Sequence, residues 1–386
     1  MQLLLDRKQF LESLSKVSSL VEKRNLLPIL DMVKITINNK RVTLTTTDLD
    51  VTCQDSFNLE EFDEDLDFLV PLHPLFEITK KLSNYEKIAI NLTDLERGQI
   101  EILAGPSQVT ISTMSTEEFP SFEPILEEKV AIPVRTIREL FNKTKHAISG
   151  GEMRYYLNGI HLDTDDLYLN AAATDVHRLA IVQRNKPENL ELTSGILIPK
   201  KAALEILKLL DTLKEEDFFN LQVNDTKLAV EINNSHLTTK LLNGQFPNYK
   251  SVFNLKPYLQ ILVPLEEFVR ALELVSAIAD TKVKIVKLTL VNNLLTVSLE
   301  NSKDGRGSRA LQELIVEAKY LDARPEAEIN LSLLLNAKYL LDLLDLAQGT
   351  KIAFLFSGFN SPLLVKDEID DLSLFVLMPM QLDVNN

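Results

Sequence analysis

The sequence predicts an α+β chain of three repeated units, each with two helices packed on antiparallel sheets. Three observations carry this reading. An amphipathic helical pattern opens each third of the chain. A shorter helical pattern, entered by a Pro or an Asn, follows in each third. Short strands with alternating apolar and polar residues fill the rest.

The opening helices are FLESLSKVSSLV, IRELFNKTKHAI and FVRALELVSAIA. They place Phe10, Leu14, Val17 and Val21, then Ile137, Leu140, Phe141 and Ile148, then Phe268, Leu272, Val275 and Ala279 on single stripes. Spacings of three and four residues mark one buried helix face. The second helices are PLHPLFEITKKL from Pro71, PKKAALEILKLL from Pro199 and NAKYLLDLLDLA from Asn336. Pro71 and Pro199 are 128 residues apart. Thr47-Asp48 and Thr174-Asp175 are 127 apart, as are Phe119-Pro120 and Phe246-Pro247. Unrelated landmarks at a common interval indicate an internal repeat, and three copies fill the 386 residues.

Candidate strands include VKITIN, VTLTTTD, KIAINL, QIEILA and QVTIST in the first unit. LYLNAAA, LAIVQR, LQVND, LAVEIN and LTTKLL follow in the second, and KLTLVN, LTVSLE, ELIVEA, EINLSL, KIAFLF and LFVLMP in the third. Polar segments at 122–129 and 254–260 place the domain boundaries, giving 1–126, 127–255 and 256–386.

Composition excludes several classes. One cysteine, Cys53, cannot form an internal disulfide. No apolar run is long enough for a membrane helix, and charge at Asp6 interrupts any signal-peptide core, so a cytoplasmic protein is expected. Lys and Arg total 41 against 56 Asp and Glu, a net charge of −15. That balance opposes wrapping on nucleic acid by bulk electrostatics, but it leaves room for a local basic lining.

No catalytic apparatus is evident. The five histidines form no HExxH or HxxxH pair, and no phosphate-binding glycine loop or GxSxG elbow occurs. No cofactor or metal is expected. An enzyme reading would need a cleft holding perturbed groups, with His177 and Asp175 as its candidates. Basic residues gather on the helices of the first two units, among them Arg7, Lys16, Arg24, Lys80, Arg138, Lys143, Lys201 and Lys208. By themselves they read first as solvated helix faces. Glu266, Glu267, Glu273, Asp342 and Asp345 give the third unit a mixed charge.

RYYLNG (154–159), TDVHRLA (174–180), GQFPNY (244–249) and MPMQL (378–382) occur in order along the repeat. With these segments the chain resembles the bacterial DNA polymerase III β-subunit family, the replicative sliding clamps, from end to end. The resemblance implies a DNA-clamp fold. Two three-domain chains would close head to tail into a six-domain ring around duplex DNA, with helices lining the hole and sheets outside. It implies a non-catalytic processivity factor that slides without sequence specificity. It would tether the polymerase III catalytic subunit, the clamp loader, other polymerases and repair proteins through short peptide motifs.

Carried over by matching segment, the peptide pocket comprises Leu157, Thr174, His177, Arg178, Leu179, Pro247, Val252, Val376, Met378, Pro379 and Met380. Met and Val would give an adaptable apolar floor, with Arg178 and His177 as polar anchors. The DNA-binding residues would be Arg24, Lys80, Tyr155 and Tyr156. Ring closure would pair the edge strands 108–113 and 311–318 through Gln108, Val109, Ile111, Leu311, Leu314 and Val316, backed by Leu274 and Ile278. The sequence departs from the family pattern at Val176, where Gly is frequent, and at Ser251, where some members have Arg.

Overall fold

A computed structural model describes residues 1–22, 26–62, 64–151, 153–279, 284–301, 308–322, 328–358 and 361–380. The repeat is visible in the order of its elements. The first copy runs β1 (Gln2–Asp6), α1 (Arg7–Ser18), β2 (Met32–Asn38), β3 (Arg41–Thr47), β4 (Val51–Asn58), β5 (Leu66–Pro71), α2 (Leu72–Lys81), β6 (Lys87–Asn91), β7 (Gln99–Ala104) and β8 (Ser107–Ser112). The second runs β9 (Val130–Pro133), α3 (Val134–Thr144), β10 (Gly159–Thr164), β11 (Tyr168–Thr174), β12 (Arg178–Asn185), β13 (Ile196–Pro199), α4 (Lys200–Leu210), β14 (Phe218–Val223), β15 (Lys227–Ile232) and β16 (Ser235–Lys240). The third runs β17 (Leu259–Pro264), α5 (Leu265–Ser276), β18 (Ile285–Val291), β19 (Leu294–Asn301), β20 (Ser308–Ile315), β21 (Glu317–Tyr320), β22 (Asn330–Asn336), α6 (Ala337–Leu344), β23 (Lys351–Phe356), β24 (Leu363–Asp367) and β25 (Ser373–Leu377).

Local chemistry sets the helix starts. Asp6 caps α1, its Oδ1 accepting from the Gln9 amide at 2.7 Å, which starts the helix three residues before Phe10. Asn336 caps α6 in the same way through the Lys338 amide at 3.0 Å. Pro71 and Pro199 stand at the N-caps of α2 and α4. The stripes read from the sequence are core: Phe10, Leu14, Val17, Ile137, Leu140, Phe141, Phe268, Leu272 and Val275 are all buried. Phe268 meets Phe354 edge to face at 5.4 Å between ring centres.

The sheets do not stop where the repeats stop. One sheet has the order β5-β2-β3-β4-β16-β15-β14-β9, so the first copy's β4 continues into the second copy's β16. Another has the order β13-β10-β11-β12-β25-β24-β23-β17-β21, joining β12 to β25 by the same rule. Two four-stranded sheets, β1-β6-β7-β8 and β20-β19-β18-β22, account for the other strands among the described residues. The chain therefore divides into two compact units that share out the middle repeat. Unit 1 is 1–138, 187–190 and 198–242, and unit 2 is 139–186, 191–197 and 243–386.

The segment 311–318 is two strands. β20 ends at Ile315, Val316 is buried at 3% exposure, and β21 leaves to pair with β17. The break falls where the β19–β20 ladder ends, at Leu294 opposite Ile315, and the Val316 amide donates instead to the Asn293 carbonyl at 2.9 Å.

Candidate functional site

Within unit 2, the segment TDVHR makes a tight turn between β11 and β12. Thr174 Oγ1 accepts from the Val176 amide at 3.0 Å and donates to the Arg178 carbonyl at 2.7 Å. Asp175 Oδ1 accepts from the amides of His177 and Arg178, at 3.0 and 2.9 Å. These bonds hold Val176 at φ +80°, a left-handed conformation that glycine adopts without strain.

The turn delivers Arg178 pre-organised. Its Nε lies 3.0 Å from Asp175 Oδ2, its Nη1 lies 2.6 Å from Asp342 Oδ2, and its guanidinium stacks 4.3 Å from the Tyr339 ring centre. Asp342 and Tyr339 belong to α6, and sequence reading did not connect them with Arg178. Asp342 does not serve merely to dilute a basic lining: its carboxylate is committed to Arg178.

β12 and β25 then align the floor. Arg178 faces Leu377 and Leu179 faces Val376 across the ladder. The Met378 amide donates to the His177 carbonyl at 2.9 Å, and the Met380 amide to the Leu334 carbonyl at 2.8 Å. These bonds dock Met-Pro-Met while the Met378 and Met380 side chains stay 44% and 36% exposed. Val376 and Leu157 are buried, Thr174 is nearly so, His177 and Pro247 are exposed, and Val252 is half-buried. Val252 lies on a 3-10 turn, Tyr249–Asn254. Val176, Phe253 and the two methionines leave exposed apolar groups among these elements.

Two half-buried groups, His146 and Asp370, lie against or just before β25. His146 lies 5.8 Å from the Phe375 ring, and burial followed by the positive charge of Arg178 pushes its pKa down to about 4. Asp370, in the turn before β25, pairs with Lys143 at 2.5 Å and with Arg184 at 3.0 Å, and Arg184 also pairs with Glu139. Burial alone would raise the Asp370 carboxyl, but Lys143, Ser373 and Arg184 bring it down to about 2.

The DNA candidates are placed as follows. Tyr155 opens a 3-10 turn, Tyr155–Leu157, rather than lying on a strand, and is 54% exposed. It meets the half-buried Tyr156 edge-on at 6.0 Å. Lys80 is exposed in the last turn of α2, 6.0 Å from the Phe76 ring centre. Arg24 lies outside the described residues. Several other helix cations have acidic partners: Lys16 with Asp55, Arg138 with Glu215, Lys143 with Asp370 and Lys201 with Asp48. Lys143 is buried.

β8 and β20 both end their sheets. Gln108 is exposed and Val109 half-exposed on β8, while Ile111 is buried. Leu311 and Ile315 are exposed on β20, and Leu274 is exposed on the adjacent α5. Leu314 and Val316 pack inward, and Ile278 is half-buried. Among the described residues no cluster of His, Cys, Asp and Glu could hold a metal. The Cys53 thiol is pushed by burial up to about 12, which leaves it unreactive. Among the described residues no helix is long and apolar enough to cross a membrane.

Family models of the DNA polymerase III beta subunit match throughout the chain: the N-terminal domain at 1–123, the central domain at 131–248 and the C-terminal domain at 250–381. The beta sliding clamp of Caulobacter vibrioides is 31% identical over 386 residues, covering 99% of this chain and 100% of that protein. The beta sliding clamp of Haemophilus influenzae is 27% identical over 383 residues, with the same coverage. Among solved structures, the Caulobacter crescentus pol III beta superposes with a TM-score of 0.90 at 29% identity, covering 99% of this chain and 100% of that one. The DNA polymerase III subunit beta from Bartonella birtlesii, bound to griselimycin, gives 0.89 at 30% with the same coverage. The chain belongs to the DNA polymerase III beta subunit family, the DNA sliding clamps, which are processivity subunits without catalytic activity of their own.

Proposed function

We propose that two copies of this chain close head to tail into a six-repeat ring around duplex DNA, β8 of one copy pairing with β20 of the other. The carrying observation is the use of sheet edges. β4 is paired with β16, and β12 with β25. By position in the repeat, β20 is the counterpart of β4 and β12, and β8 is the counterpart of β16 and β25. These two counterparts end their sheets within the chain. An unpaired edge recruits another strand, and the repeat supplies the register twice over. Gln108, Val109, Leu274, Leu311 and Ile315 form the contact surface, with Ile111, Ile278, Leu314 and Val316 packed behind it.

Such a ring reconciles the charge of −15 with DNA. Topology retains it, so only weak phosphate attraction is needed, and this permits sliding. Arg24 and Lys80 supply phosphate charge, and Tyr155 and Tyr156 pack on sugar or base. Domains 1–126, 127–255 and 256–386 each contribute two helices to the lining. The ring works in the cytoplasm.

The TDVHR turn, the end of β25 and the Tyr249–Asn254 turn form the partner groove. Leu179, Pro247, Val252, Met378, Pro379 and Met380 supply its apolar surface, with Leu157, Thr174 and Val376 packed behind them. His177 and Arg178 hold the backbone or a polar side chain of a short peptide from the polymerase, the clamp loader or repair proteins. The test is mass by light scattering. The chain of 43.7 kDa should run at twice that value. Leu311→Asp with Ile315→Asp should return it to the monomer. A double variant that stays dimeric overturns the β8–β20 closure.

A further inference from the structure

The two places where successive repeats share a sheet are each accompanied by a strap of chain, and the straps are held differently. In unit 2 the strap runs from Gly244 to Asn254 and carries Pro247 and Val252. It is clasped by Asp163 of β10, whose side chain is 7% exposed. That carboxylate accepts hydrogen bonds from Tyr249 Oη, from Lys250 Nζ at 2.9 Å and from Asn170 Nδ2 at 3.0 Å. His161 Nε2 is 3.2 Å away. The His161 ring lies flat on Phe246, with centres 4.9 Å apart and planes 5° apart, and Tyr249 is edge-on to both. Gly195, at φ +70°, backs the imidazole so closely that a Cβ there would stand 2.2 Å from His161 Cε1. Burial alone would raise the Asp163 carboxyl, but the hydrogen bonds from His161, Lys250, Tyr249 and Asn170 outweigh it and hold the group ionised.

The strap in unit 1, residues 119–124, has the same register. Phe119, Pro120 and Phe122 stand 127 residues before Phe246, Pro247 and Tyr249. The counterparts of His161 and Asp163 are Lys34 and Thr36. Lys34 pairs with Asp67 at 2.9 Å. Phenylalanine replaces tyrosine, so the hydroxyl is missing as well as the carboxylate. Under this strap lies an open cavity of about 270 Å³, floored by Thr36, Thr45, Thr52, Gln54 and Thr238. A strap can therefore accompany a shared sheet without a clasp, and the fold does not demand one.

The clasp occurs where the strap bears two walls of the partner groove. We propose that Asp163 is a positioning residue for that groove. Through Tyr249 and Lys250 it fixes the 3-10 turn, and with it Val252 and Pro247, before any peptide arrives. A wall set in advance spares the peptide the cost of ordering it. This inference rests on the groove reading above.

The probe is a fluorescent synthetic peptide carrying the short clamp-binding motif of the polymerase catalytic subunit. Asp163→Asn should weaken its binding about tenfold, mainly through faster dissociation. Amide exchange should accelerate across Tyr249–Asn254. Dimer mass, which does not use the strap, should be unchanged. Tyr249→Phe should weaken binding less, and its effect should largely vanish in the Asp163→Asn background. Lys250→Ala, on an exposed side chain, gives a milder version of the same loss if the Asp163 variant folds poorly. Wild-type affinity in both Asp163→Asn and Lys250→Ala overturns the role of Asp163, as do fully additive losses in the double variant. Failure of the wild-type protein to bind the peptide overturns the groove reading itself.

Discussion

Leu49 and Val176, 127 residues apart, share one backbone conformation, with φ of +79° and +80°. Their surroundings match bond for bond. Thr47 Oγ1 accepts from the Leu49 amide at 3.0 Å, as Thr174 does from Val176. Asp48 Oδ1 accepts from the amides of Asp50 and Val51, as Asp175 does from His177 and Arg178. The Thr-Asp pair builds the turn, and the third residue bears the strain.

Left-handed backbone costs an L-residue about 1–2 kcal/mol, and more of that is felt by a β-branched one. Glycine avoids this cost but gives back about 0.5–1 kcal/mol in chain entropy. Val176 is 49% exposed, so little core is lost with its side chain. Val176→Gly is therefore expected to stabilise the protein by about 0.5–1 kcal/mol in denaturant unfolding. A lower unfolding midpoint would show that the valine makes compensating contacts.

Arg178 should resist conservative replacement. Lysine can neither pair with Asp175 and Asp342 together nor stack on Tyr339 in the same pose. Arg178→Lys is expected to weaken polymerase-peptide binding about tenfold with the dimer intact. Titration calorimetry checks this, and wild-type affinity would remove Arg178 from the groove.

His146 makes stability depend on pH. Its folded pKa of about 4 lies below the ordinary value of 6.5, because burial and then Arg178 oppose the charge. The unfolded chain binds the proton more readily, so this contribution is complete above pH 6.5. It is lost as pH falls toward 4. Between pH 7 and pH 5 the loss is on the order of 1–2 kcal/mol. Asp370, at about 2, keeps its charge throughout that range. His146→Phe should flatten the profile in denaturant unfolding at the two pH values, and an unchanged slope would contradict the assignment.

The chain end carries the groove and not the ring. Removing residues 378–386 takes away Met378 and Met380 and their bonds to His177 and Leu334, but leaves β25 paired with β12. The truncated protein should dimerise normally and lose peptide binding. Retained polymerase stimulation would sink the groove as described.

Much of the fold was legible because it repeats. Helix stripes, Thr-Asp turns and Phe-Pro straps recur at one interval, and the intervals survive as matched strands. The reading failed where burial is polar. β4 was missed because TCQDSFN puts Asp55 inside, 3% exposed, where it pairs with Lys16 at 2.9 Å and accepts from Ser235 at 2.5 Å. Such a strand shows no alternation. In the groove, TDVHR and MPM were visible as motifs. Asp342, Tyr339 and Asp163 were not, because their meaning comes from partners far along the chain and no local spacing announces them.

The central claim is topological, and retention on DNA tests it most directly. The protein is placed on nicked circular duplex DNA by its loader with ATP, and the DNA is then passed through a sizing column before and after linearisation. The account predicts that the protein stays with the circle and is lost from the linear form, with Arg24→Ala and Tyr155→Ala reducing loading. Equal retention on circular and linear DNA, or none on either, would contradict an encircling ring.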